Sequence, residues 1–102
     1  MAVILFVRVT SQLDLDELDR RMNERRPRFQ EVPGLVQKFY ARDPATGDTC
    51  GIYFFESRAA LEEFRATELA QSIPAAYEAT DVRREVYDVL YPLYPDRGPL
   101  PE

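Results

Sequence analysis

The chain has 102 residues, 45% of them hydrophobic and 30% charged. That describes one folded domain, not two and not a disordered segment. It has no histidine, no tryptophan, one cysteine (Cys50) and a net charge of −5. These counts exclude imidazole-based catalysis, a histidine-ligated haem, a Cys/His zinc site and an internal disulfide, and the acidic balance argues against a general phosphate-binding surface. No metal or cofactor is therefore expected. A cysteine without a disulfide partner fits a reducing compartment, so a cytoplasmic protein is expected. No apolar run reaches about 18 residues, so no membrane partner is expected. Met1–Val7 lacks a basic leader and soon meets Arg8, so it does not read as a signal peptide.

Val3–Val9 is a nearly continuous apolar run and predicts a strand. Leu13 to about Phe29 predicts a helix, with Asp14 as N-cap, Glu17 closing a capping box, and Leu13 and Leu18 as a hydrophobic staple. Leu15, Leu18, Met22 and Phe29 form its apolar stripe; Asp16, Asp19, Arg20, Arg21 and Arg25 form its solvated face. Pro27 should kink or end this helix near Arg26. Pro33-Gly34 is a turn, Leu35–Arg42 a second strand, 43–49 a hairpin loop and Gly51–Phe55 a third strand. Ser57 caps a second helix that turns Leu61 and Phe64 inward. Ile73-Pro74 interrupts it, a short turn or helix follows at 75–77, and Val82–Leu90 is a fourth strand. Residues 1–91 form the domain. Residues 92–102 hold four of the eight prolines and read as an extended arm, which with Tyr94 and the adjoining Tyr91 either wraps a partner subunit or hangs loose.

The order βαββαβ predicts an α+β fold, a ferredoxin-like sandwich with a four-stranded antiparallel sheet. Its two central strands, the first and third, are the most apolar. On the first, Val3, Leu5 and Val7 share one face, and Ile4, Phe6 and Arg8 the other; on the third, Ile52 and Phe54 oppose Tyr53 and Phe55. Two helices cover only one face of such a sheet. The other face needs a cover, and a second copy related by a two-fold axis supplies one. A ligand or nucleic acid on the open face is the alternative.

Three runs, PGLVQKFYARDPATG at 33–47, GIYFFESRAALEEF at 51–64 and VYDVLYPL at 86–93, resemble the YdhR-like monooxygenase family of the dimeric α+β barrel superfamily. The resemblance spans Met1 to Leu93. It implies a homodimer that pairs its sheets face to face and encloses a cavity in each subunit. Some members of the superfamily oxidise polycyclic phenols with molecular oxygen and neither metal nor flavin. Others are isomerases, decarboxylases or haem proteins, and the missing histidine speaks against the haem branch. Gln37 and Tyr40 stand where relatives often carry tryptophan.

Twelve of the thirteen basic residues are arginine, so Lys38 is the only lysine. By strand alternation it shares a face with Val36, Tyr40 and Arg42. It reads either as a cation holding a substrate oxyanion or as an edge-strand lysine that blunts aggregation; the resembling family also carries lysine here. Arg8 is either a cavity cation or one half of an ion pair at the strand end. Tyr53 and Phe55 are either the aromatic wall of a pocket or dimer core, and the Tyr53 hydroxyl is a candidate donor or acid. Arg8, Lys38 and Tyr53 are thus the catalytic candidates. Phe6, Arg8, Lys38, Tyr40, Tyr53, Phe55 and Tyr87 are the candidate substrate contacts. Cys50 has no evident activating neighbour. Asp14, Asp16, Glu62 and Glu63 are explained by capping and helix solvation.

Three functions fit. One is a cofactor-independent monooxygenase for a small aromatic or polycyclic substrate in an apolar barrel cavity. Another is a non-catalytic small-molecule-binding protein on the same scaffold. The third is an RNA-recognition-type module with Phe6, Tyr53 and Phe55 as its platform, against which stand the acidic charge and the lack of a basic residue just before Gly51. No nucleic-acid partner is expected.

Overall fold

Val3, Leu5, Val7 and Val9 are buried, whereas Ile4, Phe6 and Arg8 between them are only half covered. This alternation separates the two layers of the fold in the computed structural model, which describes residues 1–97. The elements are β1 (Val3–Ser11), α1 (Leu15–Gln30), β2 (Leu35–Arg42), β3 (Thr49–Phe55), α2 (Arg58–Arg65), the single-turn helices α3 (Glu68–Gln71) and α4 (Ile73–Ala76), and β4 (Ala79–Asp88). The sheet is antiparallel in the order β2-β3-β1-β4, so the two most apolar strands are central, as expected of a ferredoxin-like sandwich. One face carries Val3, Leu5, Val7, Val9, Tyr53 and Phe55 into a core with Leu18 and Phe29 of α1, Leu61 and Phe64 of α2, and Leu69 and Ile73 beyond. No helix among the described residues is long and apolar enough to cross a membrane.

Helix α1 departs from expectation in four respects. Asp14 caps it by accepting the Glu17 N–H at 2.9 Å, but the reciprocal half of a capping box is missing. The Glu17 carboxylate instead accepts from Arg20 and Arg21, at 2.8 and 2.7 Å. The helix also runs through Pro27 to Gln30. Pro27 lies on the exposed side, where water can solvate the carbonyl it leaves unpaired, and carrying on buries Phe29 against Tyr53 and Phe64 at ring separations of 6.1 and 6.2 Å. Leu15, expected on the apolar stripe, is 45% exposed. Arg25, expected on the solvated face, takes a place on the stripe, at helical spacing with Leu18, Met22 and Phe29.

β3 begins two residues before the expected Gly51, because Thr49 and Cys50 pair with Val9 and Arg8 of β1 and with Arg42 and Ala41 of β2. β4 begins three residues early and stops at Asp88, and Val89 N–H then donates to Ala2 O at 3.0 Å. Pro74 sits in the first turn of α4, where its missing donor is harmless. After Asp88 no further element follows among the described residues, and Leu90, Tyr91, Leu93 and Tyr94 are exposed. Residues 98–102 of the expected arm lie outside the described residues.

The pairing of β2 with β3 contains a bulge. Leu35 opposes Phe55, yet Gln37 opposes Phe54 and Lys38 opposes Tyr53, which leaves Val36 as the extra residue. Leu35 and Lys38 are three apart and in a regular strand would face opposite ways. The bulge turns both toward the helices. It also removes Val36 from the face it was expected to share with Lys38; Val36 is 51% exposed. The sheet face away from the helices carries Ile4, Phe6, Ile52, Phe54, Phe39 and Tyr87, with Phe39 and Phe54 edge to face at 6.2 Å.

Two glycines with left-handed backbone differ in what surrounds them. A Cβ on Gly34 (φ +76°) would stand 2.5 Å from Ala60 Cβ, whereas one on Gly47 (φ +81°) would meet nothing nearer than Leu15 Cδ2 at 4.0 Å. Gly47→Ala should therefore lose only the backbone term, about 1 kcal/mol in urea unfolding. Gly34→Ala should lose about 3 kcal/mol, because α2 must also move. Equal losses would show that Gly34 does not seat α2.

Candidate functional site

The bulge in β2 sends Lys38 beneath α1. Its Nζ lies 3.5 Å from the ring centroid of Phe29, 4.2 Å from that of Tyr40 and 4.5 Å from that of Tyr53. Each ring has a reason to be there. Phe29 is the last inward residue of α1, Tyr40 lies two positions along β2, and Tyr53 is the cross-strand partner on β3. The opening for the lysine stem comes from Gly51, where a Cβ would stand 3.2 Å from Lys38 Cε and 2.9 Å from Tyr53 Cε1. Among the described residues no ion pair includes Lys38, and its recorded hydrogen bond is from the backbone N–H to Gln37 Oε1 at 3.0 Å.

A lysine amine in this position is strongly perturbed. Burial pushes its pKa down, and the Arg25 guanidinium pushes the same way, to about 7. The three ring faces attract a cation and oppose that shift. Both amine and ammonium are therefore populated near neutral pH. The phenols move the other way: burial pushes Tyr40 up to about 12 and raises Tyr53 and Tyr77, so all three stay protonated donors. Burial also raises the Cys50 thiol, in keeping with an unreactive cysteine.

Behind Lys38 lies a slot lined by Val7, Leu18, Met22, Thr49, Tyr53 and Tyr77 among others. Its free interior is about 20 Å³, room for one water rather than an aromatic ring. Lys38 and Tyr40 also border two larger grooves between α1 and β2, of about 260 and 340 Å³. The amine thus stands where an open groove meets a closed slot. Two buried oxygens on the slot lack partners, Tyr77 Oη and Thr49 Oγ1. Arg25 lies beside Tyr77, its guanidinium carbon 5.4 Å from the ring centroid. One of its amino groups donates to Leu69 O and Ser72 Oγ, at 3.1 and 3.0 Å, while its buried Nε has no partner.

The structure does not bring the seven sequence-predicted residues together. Lys38, Tyr40 and Tyr53 meet at the slot, and Phe55 stacks behind Tyr53 at 6.1 Å, 0% exposed. Phe6, Arg8 and Tyr87 lie on the opposite face of the sheet. Arg8 is held by its own chain: Nε donates to Asp48, and an amino group donates to Asp43, both at 2.8 Å, and to Thr46 at 3.1 Å. It clamps the β2–β3 hairpin. Tyr53 and Phe55 are covered by the helices, so they do not share an open face with Phe6 as an RNA platform would require. Arg25, Thr49, Gly51 and Tyr77 were missed. The 18-22-25-29 spacing would have found Arg25, and a glycine inside a strand marks a close approach. Nothing local in the sequence marks Tyr77.

Comparison with known proteins bears on the family and the fold. The family model described as "Putative mono-oxygenase ydhR" matches residues 4–94. The chain belongs to the ydhR family. Among solved structures, this ydhR-family chain is similar to Rv0793 from Mycobacterium tuberculosis, with a TM-score of 0.74 at 17% identity, covering 92% of this chain and 100% of that one. It is similar to SnoaB, a cofactor-independent oxygenase from Streptomyces nogalater, with a TM-score of 0.75 at 15% identity, covering 90% and 96%. It is also similar to a "putative antibiotic biosynthesis monooxygenase" from Deinococcus radiodurans, with a TM-score of 0.73 at 11% identity, covering 92% and 97%. At these identities the likeness is one of fold. No curated protein matches the chain.

The lysine makes stability depend on pH in a definite direction. Its folded pKa of about 7 lies below the unfolded value of about 10.4. Below pH 7 both states carry the proton and the folded state bears the full burial cost; between the two values that cost is relieved as the proton leaves. Lys38→Met should exceed the wild type by about 2 kcal/mol in urea unfolding at pH 6, and the difference should shrink as pH climbs from 7 to 10. A difference independent of pH would mean that the amine titrates like an exposed lysine.

Proposed function

We propose that the protein is a cofactor-independent monooxygenase for a small, electron-rich aromatic or polycyclic substrate, with Lys38 as its base. What carries this reading is the place of Lys38, which among the described residues has no carboxylate partner and stands where an aromatic-walled groove meets a slot of about 20 Å³. The family and the SnoaB likeness in fold support the reaction class.

In this reading the substrate ring lies in the groove between α1 and β2, against Tyr40 and Phe29. Its acidic O–H or activated C–H points at Lys38 Nζ. The neutral amine takes that proton and becomes an ammonium, which stays beside the new anion and offsets its charge together with Arg25. Tyr77 Oη and Thr49 Oγ1 offer hydrogen bonds to oxygen atoms that enter the slot. The anion is electron-rich enough to react with oxygen directly. For an activated methylene the step balances without an outside reductant: the two hydrogens leave with one oxygen atom as water, and the other oxygen becomes the new carbonyl. Because the slot holds only about one water, the ring itself stays in the groove unless α1 shifts.

We propose further that the open sheet face pairs with a second copy. Phe39 is 39% and Tyr87 51% exposed on a face that also shows Ile4, Phe6, Ile52 and Phe54, an apolar area that a lone subunit would leave in water.

Oxygen uptake with hydroxylated naphthalenes and anthrones tests the reaction. Turnover should survive chelation and need no added flavin, and Lys38→Met should lower it by about 100-fold or more. Ligand binding with no change in ligand mass under air would make the protein a binder instead; loss of turnover on chelation would overturn the cofactor-free reading. For assembly, light scattering should give twice the chain mass, resistant to salt. Phe54→Glu, which sets like charges against each other across the two-fold, should give monomers. A wild-type monomer would refute the pairing.

A further inference from the structure

We propose that Lys38 is also a nucleophilic amine, which condenses reversibly with an aromatic aldehyde or ketone to form an imine. The inference rests on the slot described above but not on oxygen chemistry, and it stands if the oxygenase reading fails.

The geometry supplies what the reaction needs. A nucleophile requires a lone pair that nothing else holds. Among the described residues no carboxylate pairs with Lys38 to hold it as an ammonium, and Nζ makes no hydrogen bond. It also requires an approach, and the amine borders both outer grooves. A flat aryl carbonyl suits the exposed ring of Tyr40, which borders both grooves and flanks Nζ at 4.2 Å.

Two steps follow. Nζ first adds to the carbonyl carbon, and a proton passes from nitrogen to oxygen to give a carbinolamine. The hydroxyl then leaves as water while the nitrogen loses its second proton and the C=N bond forms. The sum is R–CHO plus the amine, giving R–CH=N–Lys38 and water, with no oxidant or reductant. Expelling hydroxide needs a proton donor on the same wall. Tyr77 Oη is buried, without a partner and on the slot, and its pKa is raised by burial, so it keeps its proton. We assign it the role of positioning donor. The slot has room for about one water, enough to take up the water formed but not bulk solvent, which slows hydrolysis of the imine. A large neutral fraction of the amine near pH 7 favours the first step.

The sequence makes the experiment clean. Lys38 is the only lysine, so the chain has two primary amines, Lys38 Nζ and the α-amine of the exposed Met1. The full chain is incubated at pH 7 under nitrogen with 2-naphthaldehyde and cyanoborohydride, and the reduced adducts are assigned by peptide mass. Adduct at Lys38 should form about five-fold faster than at Met1, whereas an ordinary lysine would trail an α-amine by roughly two orders of magnitude. The preference should reverse in denaturing urea. Lys38→Arg should leave the Met1 adduct alone. Tyr77→Phe should slow labelling of Lys38 several-fold without moving the pH midpoint of its rate. Labelling of the folded wild type that favours Met1 would overturn the proposal. Because oxygen is absent, that failure is distinct from a failure of oxygen uptake.

Discussion

An ammonium placed in a low-dielectric slot ordinarily demands a carboxylate; among the described residues Lys38 has none, and three ring faces stand in its place while a neighbouring arginine repels it. Much of the packing on the helix side follows from that choice. Phe29 has to reach the end of α1, so the helix continues past Pro27. Tyr53 has to face the helices, so it joins the core and not the open face. Gly51 has to be bare, because a methyl group there would collide with both the lysine stem and the Tyr53 ring. Arg25 keeps the cation under repulsion while its own amino group is tied to Leu69 and Ser72. The site is thus an unstable charge held in place by a stable aromatic cluster.

The architecture was readable because strand alternation and turn residues are local signals. Apolar runs in β1 and β3 marked the central strands, and Pro33-Gly34 marked the turn that brings β2 alongside β3. Where the reading failed, tertiary demand overrode a local rule. Pro27 ends helices only when nothing beyond it needs burying, and Phe29 did. The capping box failed because the Glu17 carboxylate accepts from two arginines instead. Lys38 stood out in the sequence because it is the only lysine. Its cage did not, because the cage combines β2, β3 and the far end of α1. Arg8 left two readings open, a cavity cation or half of an ion pair, and the structure shows the ion pair, in a hairpin whose two aspartates come 35 and 40 residues later.

The two faces of the sheet divide the work. The helix side holds the polar chemistry: an amine, two orphan hydroxyls and a guanidinium. The open side is apolar along its centre, with Arg8 and its aspartates at one end and Gln37, Arg83 and Glu85 on the edge strands. Solved structures at 11–17% identity share this fold while most side chains differ.

The single extra residue in β2 makes the strand a parity device. The faces of a strand are assigned by counting in twos, and the bulge at Val36 resets the count between Leu35 and Gln37. Loss of one residue there would barely shorten β2. It would nevertheless send either Leu35 or everything from Lys38 onward to the other side of the sheet. The amine would then emerge among Phe39's present neighbours on the apolar face, and Phe39 would take its place under α1. Within this fold, the length of one edge strand, read as odd or even, decides whether an amine or a phenyl ring lies under α1.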